Sequence, residues 1–197
     1  MGSTRPATII LASSSPWRRQ LLAQLGIKFE ATSPEIDESA HDGEAPAALA
    51  ERLAIGKASK IFEASPNAIV IGSDQVADVE GDILGKPGTA EKARAQLRHQ
   101  SGKTVYFHTG LCVCAPSFER PRSCVETVTT RFRKLSDEQI ARYVEAEDVT
   151  ATAGSIKSEG LGISLVESIE SKDPSTLVGL PLIALRQLLE EAGVEIP

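Results

Sequence analysis

The chain has 197 residues, 41% of them hydrophobic and 24% charged, which is enough apolar content for one sizeable core. Only 4% are aromatic, so that core must be built mostly from Leu, Ile, Val and Ala. The net charge of −6 argues against a nonspecific nucleic-acid binder, which needs many Lys and Arg contacts to phosphate, but leaves room for a few cations converging on a small anion.

Strand and helix patterns alternate along the chain with no long linker. The run "ATIILA" (7–12) predicts a short buried strand. Ser15 suits the N-cap of the helix that follows, with Pro16 at its first position, Leu21, Leu22 and Leu25 on one face and Gly26 as the stop. A second strand is expected over 28–34, a polar acidic loop over 34–46 and a helix over 46–64. The segment 67–87 reads as a strand and then a hairpin around Glu80-Gly81-Asp82. A Thr-capped helix over 89–102 precedes two alternating strands, 103–115 and 123–135. Ser136 caps a helix to 146, a glycine-bearing loop over 151–173 feeds a strand, and an amphipathic helix over 180–193 closes the chain. The pattern predicts a single mixed α/β unit, pinched into two lobes with a cleft between them. Residues 1–6 are expected to be a flexible N-terminus.

Cys112, Cys114 and Cys124 form no disulfide framework, and no histidine stands near them at ligand spacing, so they read as reduced packing residues. No apolar run approaches the roughly 18 residues of a membrane span, and "MGSTRPATII" lacks a signal-peptide core. The expected location is the cytoplasm.

Three places hold residues fit for chemistry. Ser13, Ser14 and Ser15 between strand and helix would present hydroxyls and N–H groups to an anion, with Arg18 and Arg19 adding forked donors. The same residues would equally serve as a plain capping turn with exposed arginines. Asp74 in "IGSDQV" is read as lying just past an apolar strand, a position for a base or metal ligand, or else for a turn. Glu38 in "EIDE" is a second carboxylate that could share Mg²⁺ with Asp74 beside a phosphate. Lys57 and Lys86 are weaker signals, and His41, His99 and His108 are scattered.

Taken together, "LASSSPWRRQLLAQLG", "PEIDE", "GSDQV", "GKP", "SGKTVYFHTGL", "AGSIKSEGLG" and "LVGLPLIAL" resemble, in order and spacing, the Maf family of nucleoside triphosphate pyrophosphatases over about residues 8 to 190. Within it the chain is similar to the subgroup acting on N7-methyl-GTP, through Trp17, Gln75 and Glu159. The resemblance implies an elongated mixed β-sheet with flanking helices and two lobes around a deep cleft, akin to the inosine triphosphate pyrophosphatases. It implies Asp74 as general base, and Ser13, Arg18, Lys57 and Lys86 on the phosphates, to which the local reading of the serine loop adds Ser15 and Arg19. It implies Glu38 with Asp74 on a divalent cation (Mg²⁺, Mn²⁺ or Co²⁺), and Trp17, Gln75 and Glu159 as readers of the base. A nucleotide is then the expected partner, with neither nucleic acid nor membrane, and a homodimer stays open. Two other functions remain as alternatives: a dTTP/UTP pyrophosphatase of the same family, and a nucleotide-binding regulator of septum formation.

Overall fold

A computed structural model describes residues 8–196. The expected flexible stretch 1–6 lies outside the described residues. Seven strands form one mixed sheet: β1 Ile9–Ala12, β2 Glu30–Thr32, β3 Ile69–Val79, β4 Asp82–Leu84, β5 Thr104–Cys114, β6 Arg122–Phe132 and β7 Val166–Glu170. Five helices flank it: α1 Pro16–Ala23, α2 Pro46–Ala64, α3 Ala90–Gln100, α4 Asp137–Ala146 and α5 Leu182–Glu191. The order across the sheet is β2-β1-β3-β5-β6-β7, with β4 also on β3. β1 runs parallel to β2 and β3, and the other pairings are antiparallel.

The expected elements are present, with shorter ends. α1 stops at Ala23 and turns through Gly26, which takes the left-handed φ of 68° that favours glycine. The second strand keeps only three of the seven residues expected, and β6 ends at Phe132 instead of 135. Ser15, Thr89 and Ser136 each cap a helix through the side chain, and Ser136 forms a full capping box with Gln139.

The main correction concerns Asp74. It lies inside β3, which continues unbroken for 11 residues through Gly72, Ser73, Asp74 and Gln75. The strand persists because β5 pairs with it from Val70 to Asp78. On its other edge β3 meets two different strands. β1 pairs up to Gly72, and β4 pairs only from Ala77. Ser73 to Val76 are therefore left without a strand partner on that edge, and there the chain leaving β1 veers into α1.

Side chains on the two faces of β3 are dealt out by the strand's alternation. On one face, α2 packs alone over Val70, Cys112 and Cys114 through Ala54 and Ala58. All three cysteines are free, and Cys112 and Cys114 are buried, as packing residues should be. On the opposite face two apolar clusters form. Ile69, Ile71, Leu111 and Val113 pack with Leu21 and Leu22 of α1 and Leu185 and Leu189 of α5. Ala77, Val79, Val105 and Phe107 pack with Leu97 of α3 and Ile140 of α4. Between the clusters the same face carries Ser73, Gln75 and Thr109, a polar seam across the middle of the sheet.

Candidate active site

The site grows from that seam and from the open edge of β3. Ser73 and Thr109 are fully buried, so their hydroxyls must find partners inside the protein. Ser73 Oγ donates to the carbonyls of Gly110 (2.9 Å) and Gly179 (3.0 Å). Thr109 Oγ1 donates to Thr176 O at 3.1 Å. Gln75 Nε2 donates to Thr109 Oγ1, Thr176 O and Leu177 O at 3.0–3.1 Å. These bonds clamp a single 3₁₀ turn, Thr176–Val178, onto the sheet. The turn ends at Gly179, whose φ of 117° only glycine adopts readily. Its carbonyl also accepts a 2.8 Å bond from Arg18 Nε, so the seam indirectly aims the guanidinium of a helix 161 residues away in sequence.

The serine loop is folded by its own hydroxyls. Ser15 N donates to Ser13 Oγ (3.1 Å), and Arg18 N donates to Ser15 Oγ (3.4 Å) in the N-cap. The N-terminus of α1, with its partial positive charge, therefore opens beside Ser13 to Trp17. The site also lies beyond the carboxyl ends of the parallel strands β1 and β2, where open α/β sheets bind ligands.

Lys57 comes from the other face. A Cβ on Gly72 would lie 2.3 Å from Ala54 O and 2.7 Å from Ala58 N, and one on Gly110 would lie 2.1 Å from Ala50 O. Only glycine at both positions lets α2 sit this close to the sheet. That approach delivers Lys57, 6% exposed, to Asp74, with Nζ at 2.6 Å from Oδ1. The same Nζ is 2.6 Å from Glu38 Oε1, and Lys86 Nζ stands 3.7 Å from Glu38 Oε2. Burial pushes the Glu38 carboxyl up, but the hydrogen bond and charge of Lys57, with Lys86 and Arg18 behind it, outweigh this and hold it below the usual range. Burial likewise pulls the Arg18 guanidinium below its ordinary value, against the opposing pull of Asp74 and Glu38.

These groups line one pocket of about 470 Å³. Ser13, Ser15, Trp17, Arg18, Glu38, Lys57, Asp74, Gln75 and Lys86 all contribute to its wall, so nine of the eleven residues expected from the sequence come together. Arg19 and Glu159 stand outside the lining. Arg19 is exposed on the solvent side of α1. Glu159 is exposed on the loop after Lys157, and its partner is Ser158 Oγ at 3.5 Å. The sequence reading missed Lys157, Asp148 and Thr152, which form part of the wall, and the buried seam that carries Gly179. A C-terminal loop supplies the first three, and nothing in their local spacing sets them apart.

Chemically, the pocket offers cations and a helix N-terminus for an anion, beside a carboxylate held through one oxygen by Lys57. Such a site, on a mixed sheet with α2 over one face and the remaining helices packed on the other, defines a class of α/β anion-binding protein. The chain belongs to the Maf-like protein family, whose sequence profile matches residues 8–192. Proteins of Xanthomonas oryzae pv. oryzae and Pseudomonas aeruginosa, each described as a 7-methyl-GTP pyrophosphatase, are 51% identical to it over 189 residues, covering 96% of this chain and 98% of theirs. One from Nitrosococcus oceani with the same description is 50% identical over 191 residues, covering 97% of this chain and 96% of its own. Among solved structures, the Ham1 protein of Staphylococcus aureus superposes with a TM-score of 0.55 at 15% identity, covering 93% of this chain and 98% of that one. The HAM1 protein of Coxiella burnetii gives 0.53 at 13%, covering 94% and 100%. That likeness is one of fold. Among the described residues, no helix is long and apolar enough to cross a membrane.

Proposed function

We propose that this chain is a nucleoside triphosphate pyrophosphatase that cleaves N7-methyl-GTP to N7-methyl-GMP and pyrophosphate. The observation that carries the reading is Asp74 held by Lys57 in a cation-lined pocket, in a chain about half identical along its length to proteins described by that activity.

Lys57 occupies Oδ1 of Asp74, which leaves Oδ2 to accept a proton from a water. The water oxygen bonds to the α-phosphorus as that proton moves to Asp74, and the bridging P–O bond to the β-phosphate breaks. Pyrophosphate departs with the bonding pair. Ser13, Ser15, Arg18, Lys57 and Lys86 hold the phosphate oxygens and offset the charge that grows on the leaving group. Arg19, exposed beside them, would add only long-range attraction.

Glu38 and Asp74 fit a divalent cation. Both carboxylates lie 2.6 Å from Lys57 Nζ, so they stand close enough to share an ion, which would take oxygens that this ammonium leaves to it. Among the described residues no group of three His, Cys, Asp or Glu surrounds it, so water and phosphate oxygens would complete the shell, as Mg²⁺ prefers. Such an ion, whether Mg²⁺, Mn²⁺ or Co²⁺, supplies charge neutralisation to the triphosphate when bound.

Trp17, Gln75 and Glu159 are proposed to set base preference. N7-methylation makes the guanine ring cationic, and a tryptophan face attracts a cation. Gln75 has spent its amide nitrogen on the seam and offers its carbonyl oxygen. Glu159 would supply a counter-charge from the rim loop.

The test is Asp74→Asn. Pyrophosphate release from N7-methyl-GTP should fall about 10²–10⁴-fold, the usual contribution of a general base, while nucleotide affinity changes little. A variant that kept full turnover would sink the assignment.

A further inference from the structure

The pocket contains one cation that the reaction above does not use. Among the described residues, Lys57 is engaged by Asp74 and Glu38, Lys86 by Glu38, and Arg18 by Gly179 O. Lys157 lines the same pocket, half-buried, and its ammonium has no hydrogen bond or ion pair among the described residues. Its backbone, by contrast, is fixed on every side. Lys157 N donates to the hydroxyl of the buried Tyr143 at 3.0 Å, and Lys157 O accepts from Gly160 N at 3.1 Å. Gly162 packs so near that a Cβ there would lie 2.5 Å from Lys157 O. The loop is tied to α4 again where Leu161 N donates to Glu147 Oε2 at 2.9 Å. The backbone of Lys157 is thus held at both its polar atoms, while its ammonium, without a bonded partner among the described residues, is placed to meet something that enters the pocket.

We infer that Lys157 is a base-reading residue that donates to the 6-oxo group of the purine, which deepens the proposed function and rests on it. The proposed function assigns the phosphates to Ser13, Ser15, Arg18, Lys57 and Lys86, a set to which Lys157 does not belong. An ammonium only donates, so it needs an acceptor on its ligand. Methylation at N7 removes one acceptor from the Hoogsteen edge of guanine and leaves O6. A 6-amino purine would turn donors toward the ammonium and leave it unpaired, the arrangement by which polar sites reject an analogue most strongly. Asp148 lines the wall as well. Bonds from Thr150 and, more weakly, the Lys157 charge hold its carboxyl low, so it stays anionic and softens the repulsion between Lys157 and a cationic ring.

Binding tests this without requiring turnover. Calorimetry would compare the wild-type protein with Lys157→Met, which keeps the stem, and with Lys157→Arg, which keeps a donor. The probes are the α,β-methylene analogue of N7-methyl-GTP and inorganic tripolyphosphate, which has no base. Lys157→Met should weaken the analogue tenfold or more, on the scale of a lost hydrogen bond to a charged group, and leave tripolyphosphate within twofold. Lys157→Arg should recover part of the loss. Equal weakening of both probes would assign Lys157 to phosphate and overturn the inference, as would an unchanged analogue affinity. Failure of the wild-type protein to release pyrophosphate from N7-methyl-GTP would instead overturn the proposed function, whichever way the binding result fell.

Discussion

At the scale of single residues, α1 shows how one short stretch is divided between tasks. Leu21 and Leu22 are buried against the sheet, while Trp17, in the first turn, is 40% exposed at the pocket wall. A lone exposed aromatic needs no explanation in general. Here its neighbours in the pocket wall are Ser13, Ser14, Ser15 and Arg18, the groups proposed to hold phosphate, which puts a base within reach of its ring. Trp17→Ala should weaken N7-methyl-GTP more than GTP by about 2- to 30-fold, the range of 0.5–2 kcal/mol for a cation over a tryptophan face. Melting temperature should barely move, as for most exposed substitutions. Equal losses for the two nucleotides in KM measurements would make Trp17 a packing residue. The Ser15 cap was legible in the sequence because capping chemistry is local. The split between Arg18 and Arg19 was not: neighbours on a helix point about 100° apart, so one turns to Gly179 and the other to solvent. Lys157 was illegible because its position depends on Tyr143 and Gly162, not on any periodicity.

At the scale of elements, strand and helix periodicity locates the five α-helices and strands β1, β2, β5 and β6 to within a few residues, and the β3–β4 hairpin around Glu80-Gly81-Asp82, but it sets no bounds for β7 and puts Asp74 past the end of its strand. Gly72, Ser73 and Asp74 look like the end of a strand, since glycine and small polar residues usually interrupt one. They are instead the places where α2 approaches, where the seam is anchored and where Lys57 arrives. Those reasons come from packing across the sheet and leave no trace in local pattern. The acidic loop before α2 is legible as a loop, yet its closure depends on a pair that carries no local signal. Arg52 grips Glu44 with Nε (2.6 Å) and Nη2 (2.7 Å), and Arg52 Nη2 also holds Ser39 O at 2.8 Å, next to Glu38. The Arg52 hydrogen bonds, then that from His41 N, lower the Glu44 carboxyl to about 2. Its folded value thus lies below the ordinary value of about 4.3. The stabilisation is therefore complete above that ordinary value and is lost as pH falls from about 4 toward about 2. Glu44→Gln should lower the melting temperature by a constant amount from pH 7 to 5, and the gap to wild type should close in that acid window. A gap undiminished at pH 2 would mean that shape, not charge, holds the loop.

At the scale of the whole molecule, the pocket is assembled from segments scattered along the entire chain. Its wall takes residues from the β1–α1 loop, the loop after β2, α2, β3, the stretch after β4, the 148–157 loop and Gly179. The two apolar clusters on one face of the sheet meet only across the polar seam, and the seam is also the floor beneath Arg18. A ligand that bridges these parts binds the folded chain and has nothing to bind in the unfolded one. Linkage then sets the scale of the effect: at a ligand concentration of 100 times Kd, the folded state gains about 2.7 kcal/mol. For a chain of this length about 1 kcal/mol moves the melting temperature by about 2–4 °C, so the expected rise is about 5–11 °C. Asp74→Asn with N7-methyl-GTP is the suitable sample, because substrate survives the scan. Its unfolding should remain a single transition that moves upward as a whole, since the pocket wall draws on segments from the whole length of the chain. A scan in which one transition rose while a second stayed in place would show that the ligand contacts only part of the chain, and that the pocket drawn from all these segments does not close around it.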